Sequence, residues 1–237
     1  LPEAPRLVER PDNPGFAGGA TAALALGEAP FALLLNPDVE LGEDYLARTR
    51  AALEADAGLG AAGGLLWRED AERGPVVDSA GFHRQPWWRI VDRDAGESLA
   101  AWTGEDGERP GLCGAALLLR RAALRAIAPD GRVLDERYWM YKEDQDLALR
   151  LGEAGWGSRF VAGARARHDR GWRPQGRSRV ALRLRRHSLK NRYLLLARHF
   201  RLRRDWLSLP AILGFEVVQA TVLLLFEPKT VLGYAWA

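Results

Sequence analysis

Phe31-Ala32-Leu33-Leu34-Leu35 runs straight into Asn36-Pro37-Asp38. Five apolar residues without polar alternation read as a short strand of the buried parallel type. A carboxylate just past such a strand sits where open α/β sheets bind ligands. Upstream, Val8-Glu9-Arg10 reads as the end of a strand, Pro11 to Gly19 as a turn-rich loop and Ala20 to Leu26 as a helix. Downstream, Glu43 to Ala55 places Tyr45, Leu46, Thr49 and Leu53 at helical spacing, and Leu59 to Leu66 is a Gly/Ala-rich strand. Helix, strand, helix, strand predicts a doubly wound α/β sheet.

Residues 67–110, with Trp87-Trp88 and Trp102, read as an irregular excursion with short strands along a cleft wall. Cys113 to Leu119 is a further apolar strand, followed by a helix from Arg121 to Ile127. A helix from Glu143 to Ala154 stops at Gly155, and Ser158 to Val161 and Ala164 to His168 read as two short strands. The spacing predicts a long basic helix over Arg177 to Arg204, before an apolar stretch from Trp206 to Ala237.

With 237 residues, 47% of them hydrophobic, the chain can bury one good core and carry a small appendage. Cys113 is the only cysteine, so no disulfide forms within the chain, which fits a reducing compartment. Leu1-Pro2-Glu3-Ala4-Pro5 resembles neither the basic nor the apolar part of a signal peptide, and the only methionine is Met140.

The net charge of +3 conceals an asymmetry. Residues 165–204 hold 15 Lys and Arg against one acid, Asp169; the remainder holds 19 basic and 30 acidic residues. Such a basic segment suits phosphate, nucleic acid or an anionic membrane. It contains Tyr193 and Phe200 but no groove-reading motif or aromatic platform, which argues against nucleic acid. Beside Leu207 to Phe226 it reads as a polybasic segment at a membrane surface. Pro210, Glu216 and Gln219 suit that apolar stretch to an in-plane helix better than to a span. A helix docked on the body by its apolar face fits the same residues equally well.

Two acidic clusters carry the chemistry. Asp38 can ligate Mg²⁺ or Mn²⁺ through one oxygen, with diphosphate oxygens and water filling the other positions; Asn-Pro-Asp is also ordinary turn chemistry. Glu143-Asp144-Gln145-Asp146 opens a helix, where acids also serve as caps, and Asp146 with Arg150 has the spacing of a surface ion pair. Yet these acids follow Tyr138-Trp139-Met140-Tyr141, an aromatic wall that would raise a carboxylate's pKa and offer a face to a sugar ring. His168 can complete a metal site with Asp38, or stand as a lone surface polar residue. Gly15-Phe16-Ala17-Gly18-Gly19 before a helix allows close approach of a phosphate or ribose, without the spacing of a known nucleotide fingerprint.

Taken in order, Asn13 to Gly19, Leu33 to Val39, Gly114 to Arg121 and Tyr138 to Leu147 resemble the family-2 inverting glycosyltransferases of GT-A fold, most closely the bacterial rhamnosyltransferase-like branch. The resemblance runs from about Val8 to Phe200. It implies an α/β, Rossmann-like GT-A domain over residues 1–170, with a mostly parallel sheet flanked by helices. It also implies a first strand and helix ahead of Leu1. Residues 171–237 would form a helical, membrane-associated extension, basic and then apolar. The implied activity moves a hexose or rhamnose from a dTDP- or UDP-linked nucleoside-diphosphate sugar, with inversion and a divalent cation, Mg²⁺ or Mn²⁺. The acceptor would be a surface glycan or lipid-linked glycan, and the setting the inner, cytoplasmic face of the cell membrane.

By the same resemblance, Asp38 stands at the metal position with Asn36 on the nucleotide side. Asp144 stands at the catalytic base with Glu143 beside it. His168 matches a downstream histidine that meets the metal in some members. Gly18 and Gly19 match the nucleotide loop, and Trp139 and Tyr141 line the acceptor side. Ala20 and Thr21 stand where the family usually has asparagines. Two other expectations remain open: a non-catalytic nucleotide-sugar or glycan-binding relative, and a basic membrane-binding adaptor whose acidic clusters are only helix caps.

Overall fold

The computed structural model describes residues 7–169 and 181–232. In chain order its elements are α1 (Gly15–Leu24), β1 (Phe31–Leu35), β2 (Val39–Leu41), α2 (Tyr45–Ala55), β3 (Leu59–Asp70), β4 (Gly74–Ser79), β5 (Phe82–Arg84), β6 (Ile90–Asp92) and β7 (Gly107–Glu108). Then follow β8 (Ala116–Arg120), α3 (Arg121–Ile127), α4 (Glu143–Glu153), β9 (Gly157–His168), α5 (Leu182–His199), α6 (Leu202–Asp205), α7 (Leu209–Phe226) and α8 (Pro228–Leu232). Val8-Glu9-Arg10 is not a strand here, because those residues pair with no neighbouring strand.

The main sheet has the order β1-β8-β3-β9-β2, with β4 added on β3 and β7 on β9; β5 and β6 form a separate ribbon. The α/β class holds, and β1, β3 and β9 run the same way. The sheet is nevertheless mixed rather than mostly parallel. Among the described residues only β3 and β9 pair in parallel, because β8 returns from the 67–110 excursion in the opposite direction and inserts between β1 and β3. β1 therefore pairs antiparallel with β8 alone and is half-buried, with Leu35 exposed, where its composition predicts a strand buried on both faces.

The two strands expected at 158–161 and 164–168 are one strand, β9, with a bulge. Gly64 pairs with Val161 and Leu65 with Arg165, so the residues between them are looped out. Gly64 is required beside that bulge, since a Cβ there would lie 1.8 Å from the Ala164 carbonyl. Leu65, Leu119, Leu147 and Phe160 lie at the centre of the core between the sheet and α1, α3 and α4.

The long basic helix is α5, ended at Phe200, and it docks on the body. Arg192 pairs with Glu216 at 2.6 Å, Arg198 with Asp135 at 2.7 Å and His199 with Asp146 at 2.9 Å. Residues 177–180 of the expected helix lie outside the described residues, as does the 170/171 domain boundary.

Candidate active site

Strand register brings Asp38 and His168 together. β2 pairs with β9 so that Val39 faces His168, and the Asp169 N–H donates to the Asp38 carbonyl at 2.9 Å. His168 Nε2 then lies 3.5 Å from Asp38 Oδ1, while its Nδ1 lies 2.8 Å from Asp78 Oδ2. A carboxylate only accepts, so the short Asp78 contact suits a proton on Nδ1, with Nε2 on the Asp38 side. Asp78 is buried at the irregular β3/β4 pairing, with Arg68 Nε 3.4 Å from its other oxygen. Carboxylate–histidine pairs of this kind orient metal ligands. The sequence carries a signal for Asp78 that its reading missed: a charged residue in the apolar run Val76-Val77-Asp78 is buried only if paired.

Two residues before Asp38, the Asn36 N–H donates to the Ala115 carbonyl at 2.8 Å. The adjoining Gly114 N–H donates to Asp144 Oδ2 at 3.0 Å. The turn after β1 and the start of α4 are thus joined across the end of β8, and both acidic clusters belong to one rim. A Cβ on Gly114 would stand 3.0 Å from the Asp144 Cβ, close enough that Asp144 would have to give way. Asn36 Oδ1 is buried and makes no hydrogen bond among the described residues.

The four residues that open α4 divide their roles. Asp144 lies at the rim, also accepting from the Gln145 N–H at 2.8 Å. Glu143 is buried with Oε2 unbonded, and burial, reinforced by the charge of Asp144, pushes it up to about 8. Lys142, immediately before them, is pushed down to about 8 by burial and by the neighbouring Arg89 guanidinium. Asp146 points inward to Arg150 at 2.8 Å and to His199, Arg198 and Tyr138. The Asp146–Arg150 pair is therefore buried, not the surface pair its spacing suggests, because α5 covers that face of α4.

Of the aromatic residues before α4, Tyr138 is buried and Trp139 is held by its neighbours. The Trp139 ring stacks on His187 at 4.8 Å, lies 4.4 Å from the Arg183 guanidinium carbon, and donates from Nε1 to the Asn13 carbonyl. Tyr141 is 38% exposed. Gly18 packs inside α1, where a Cβ would sit 2.5 Å from the Pro14 Cβ. Gly19 lines an open cleft of about 720 Å³ with Arg10, Asn13, Pro14 and Ala22, a cleft that includes neither Asp38 nor Asp144. The four nucleotide-side residues thus split between α1 and the rim.

Among the described residues no group of three or more His, Cys, Asp or Glu is arranged to hold a metal ion by itself. Asp38 and His168 form a two-ligand set that needs substrate oxygens and water to complete it.

No family model matches the chain. Over 154 residues it is 33% identical to the N-acetylglucosaminyl-diphospho-decaprenol L-rhamnosyltransferase of Mycobacterium tuberculosis, in strains CDC 1551 and H37Rv. That match covers 58% of this chain and 46% of the relative, so the chain spans about half the length of these curated relatives. Among solved structures, GalNAc-T7 with UDP, GalNAc and Mn²⁺ superposes with a TM-score of 0.56 at 12% identity, over 77% of this chain and 34% of that one. The mixed sheet flanked by helices is the GT-A fold.

Proposed function

We propose that this protein is a glycosyltransferase that moves a sugar, rhamnose or another hexose, from a dTDP- or UDP-linked donor to an acceptor hydroxyl with inversion. The observation that carries this reading is the bonded path Asn36–Ala115–Gly114–Asp144, which joins the turn that holds Asp38 to the start of α4. The rhamnosyltransferase relative supports the activity, and the GT-A architecture supports a nucleotide-sugar donor.

Asp144 accepts the proton of the acceptor hydroxyl as that oxygen attacks the anomeric carbon. The Gly114 and Gln145 N–H groups fix its carboxylate for this. Glu143, protonated near neutral pH, adds no second negative charge beside it. Asp38 and His168 would hold Mg²⁺ or Mn²⁺, and the fit rests on the buried Asp78, which holds the His168 ring with Nε2 3.5 Å from Asp38 Oδ1. Bound there, the ion would neutralise charge on the departing nucleoside diphosphate. Asn36, with a buried unbonded amide oxygen, stands on the nucleotide side.

The acceptor in this reading is a lipid-linked glycan, met on the inner face of the cell membrane. The relative's diphospho-decaprenol substrate supports it, as does the apolar α7. The helical run Leu202–Phe226 contains an 18-residue stretch with a mean hydropathy of 2.0 and is long enough to cross a membrane. α7 is fastened near its middle, through Phe215 on Trp87 and through Glu216 to Arg192 and Tyr193 of α5. That fastening favours a helix lying in the interface.

Calorimetry with dTDP and UDP, with and without Mn²⁺, tests the donor side. Binding should need the metal and be lost in Asp38→Ala and weakened in His168→Ala. Asp144→Asn should bind as before and lose on the order of 10²–10⁴-fold in turnover. Full turnover by Asp144→Asn would remove the base assignment.

A further inference from the structure

We infer that Asn191, in the middle of α5, is a positioning residue that sets the Asp144 carboxylate through the backbone of residues 138–142. The inference rests on the reading of Asp144 as the base. Between Tyr138 and α4 the chain makes its most constrained passage. Trp139, Tyr141 and Lys142 have φ of 58°, 70° and 69°, three left-handed non-glycine residues within four. Trp139 has ψ of −55°, and the Met140 N–H donates to the Tyr138 carbonyl at 2.6 Å. That combination is a γ-turn of the rare, strained hand.

Such a backbone persists only where its surroundings impose it. Asn191 is completely buried, and its Nδ2 lies 2.9 Å from the Tyr138 carbonyl, 2.8 Å from Met140 and 2.7 Å from Tyr141. One side-chain amide therefore gathers three carbonyl oxygens of the strained passage. Beside it, Lys190 Nζ donates to the Arg137 carbonyl at 2.6 Å. The far end of the passage is continuous with the site: the Lys142 carbonyl accepts the Asp146 N–H at 2.9 Å, and Asp144 lies between these two residues. Releasing the clamp frees the γ-turn to relax, shifts the first turn of α4, and moves Asp144 away from the Gly114 N–H.

Asn191→Asp keeps the shape but faces three carbonyls with an acceptor, whereas Asn191→Ser keeps one donor. In the full-length protein, with dTDP-rhamnose and UDP-hexoses as donors, Asn191→Asp should lower kcat on the order of 10²-fold. Its donor KM should stay within about two-fold of the parent. Asn191→Ser should recover part of that loss. Hydrogen exchange should speed at Met140 and at Ala17, whose N–H donates to the Trp139 carbonyl, while the later turns of α4 keep their protection. Arg185→Ala, which breaks the α5–α8 side at Glu227 without touching the clamp, should leave kcat unchanged. An equal kcat loss in Arg185→Ala would show a general docking effect and overturn the inference. Full kcat in both Asn191 variants, with Asp144→Asn inactive, would overturn the inference alone. Full turnover in Asp144→Asn would remove the reading beneath it.

Discussion

Glu143 shows how much a single residue's role depends on its surroundings. In the sequence it is one of three acids near a helix start, where any of them could cap. In the fold it is buried beside Asp144 and stays protonated to about pH 8. An acid whose folded pKa is raised binds more protons in the native than in the unfolded state. Stability therefore falls as pH rises from its ordinary value of 4.5 to about 8. Urea midpoints measured across that window should fall with pH in the parent and fall less in Glu143→Gln. An unchanged slope in the variant would show that another group sets the dependence. Asp78 and Asn191 had no place in the sequence reading for opposite reasons. Asp78 is visible as a charge in a strand, but its partner His168 is 90 residues away. Asn191 is an unremarkable polar residue in a basic helix, and only the docked position of α5 gives it a task.

Among elements, α4 and α5 behave as one unit. Burial alone would raise Asp146, but the His199 hydrogen bond and the Arg150 and Arg198 charges hold it below the ordinary carboxylate range. Its contribution to stability is thus present above the unfolded pKa and lost as pH falls through the lower folded value. Asp146→Asn leaves buried cationic partners without their charge and should cost about 3–5 kcal/mol, read as a lowered urea midpoint with an unchanged slope. A change within the range of ordinary surface substitutions, about 0.5 kcal/mol, would mean the network contributes little. The helical bounds of α3 and α4 are legible in the sequence because their apolar spacing is local. The direction of β8 is not, since it depends on where a 44-residue excursion, residues 67–110, returns the chain.

On the scale of the whole molecule, the notable feature is an uncovered helix. Val217, Val218, Leu225 and Phe226 of α7 are 62–77% exposed, while Ile212 and Leu223 on the opposite side are buried. Exposed Arg201 and Arg203 precede this face and Lys229 follows it. Much of the positive charge of α5 is already matched inside the protein, which weighs against the adaptor reading. The protein should float with vesicles containing anionic lipid, and do so less at high salt. Val217→Asp combined with Leu225→Asp should abolish flotation without lowering the urea midpoint, because both residues already face outward. Retained flotation in the double variant would place the membrane contact elsewhere.

The sequence by itself determined what short-range physics controls. Apolar runs became strands, 3.6-residue spacing became α2, α3 and α4, and the turn Asn36-Pro37-Asp38 and the acids of α4 could be named as candidates. Tertiary structure decided which candidates share a rim. The β2/β9 register joins Asp38 to His168, and the return of β8 carries Gly114 to Asp144. It also withdrew Asp146 into the interior and gave α5 its hold on the strained passage before the site. The reason is physical: pairing and burial between residues many positions apart are fixed by strand register and helix docking, and neither leaves a local trace in the chain.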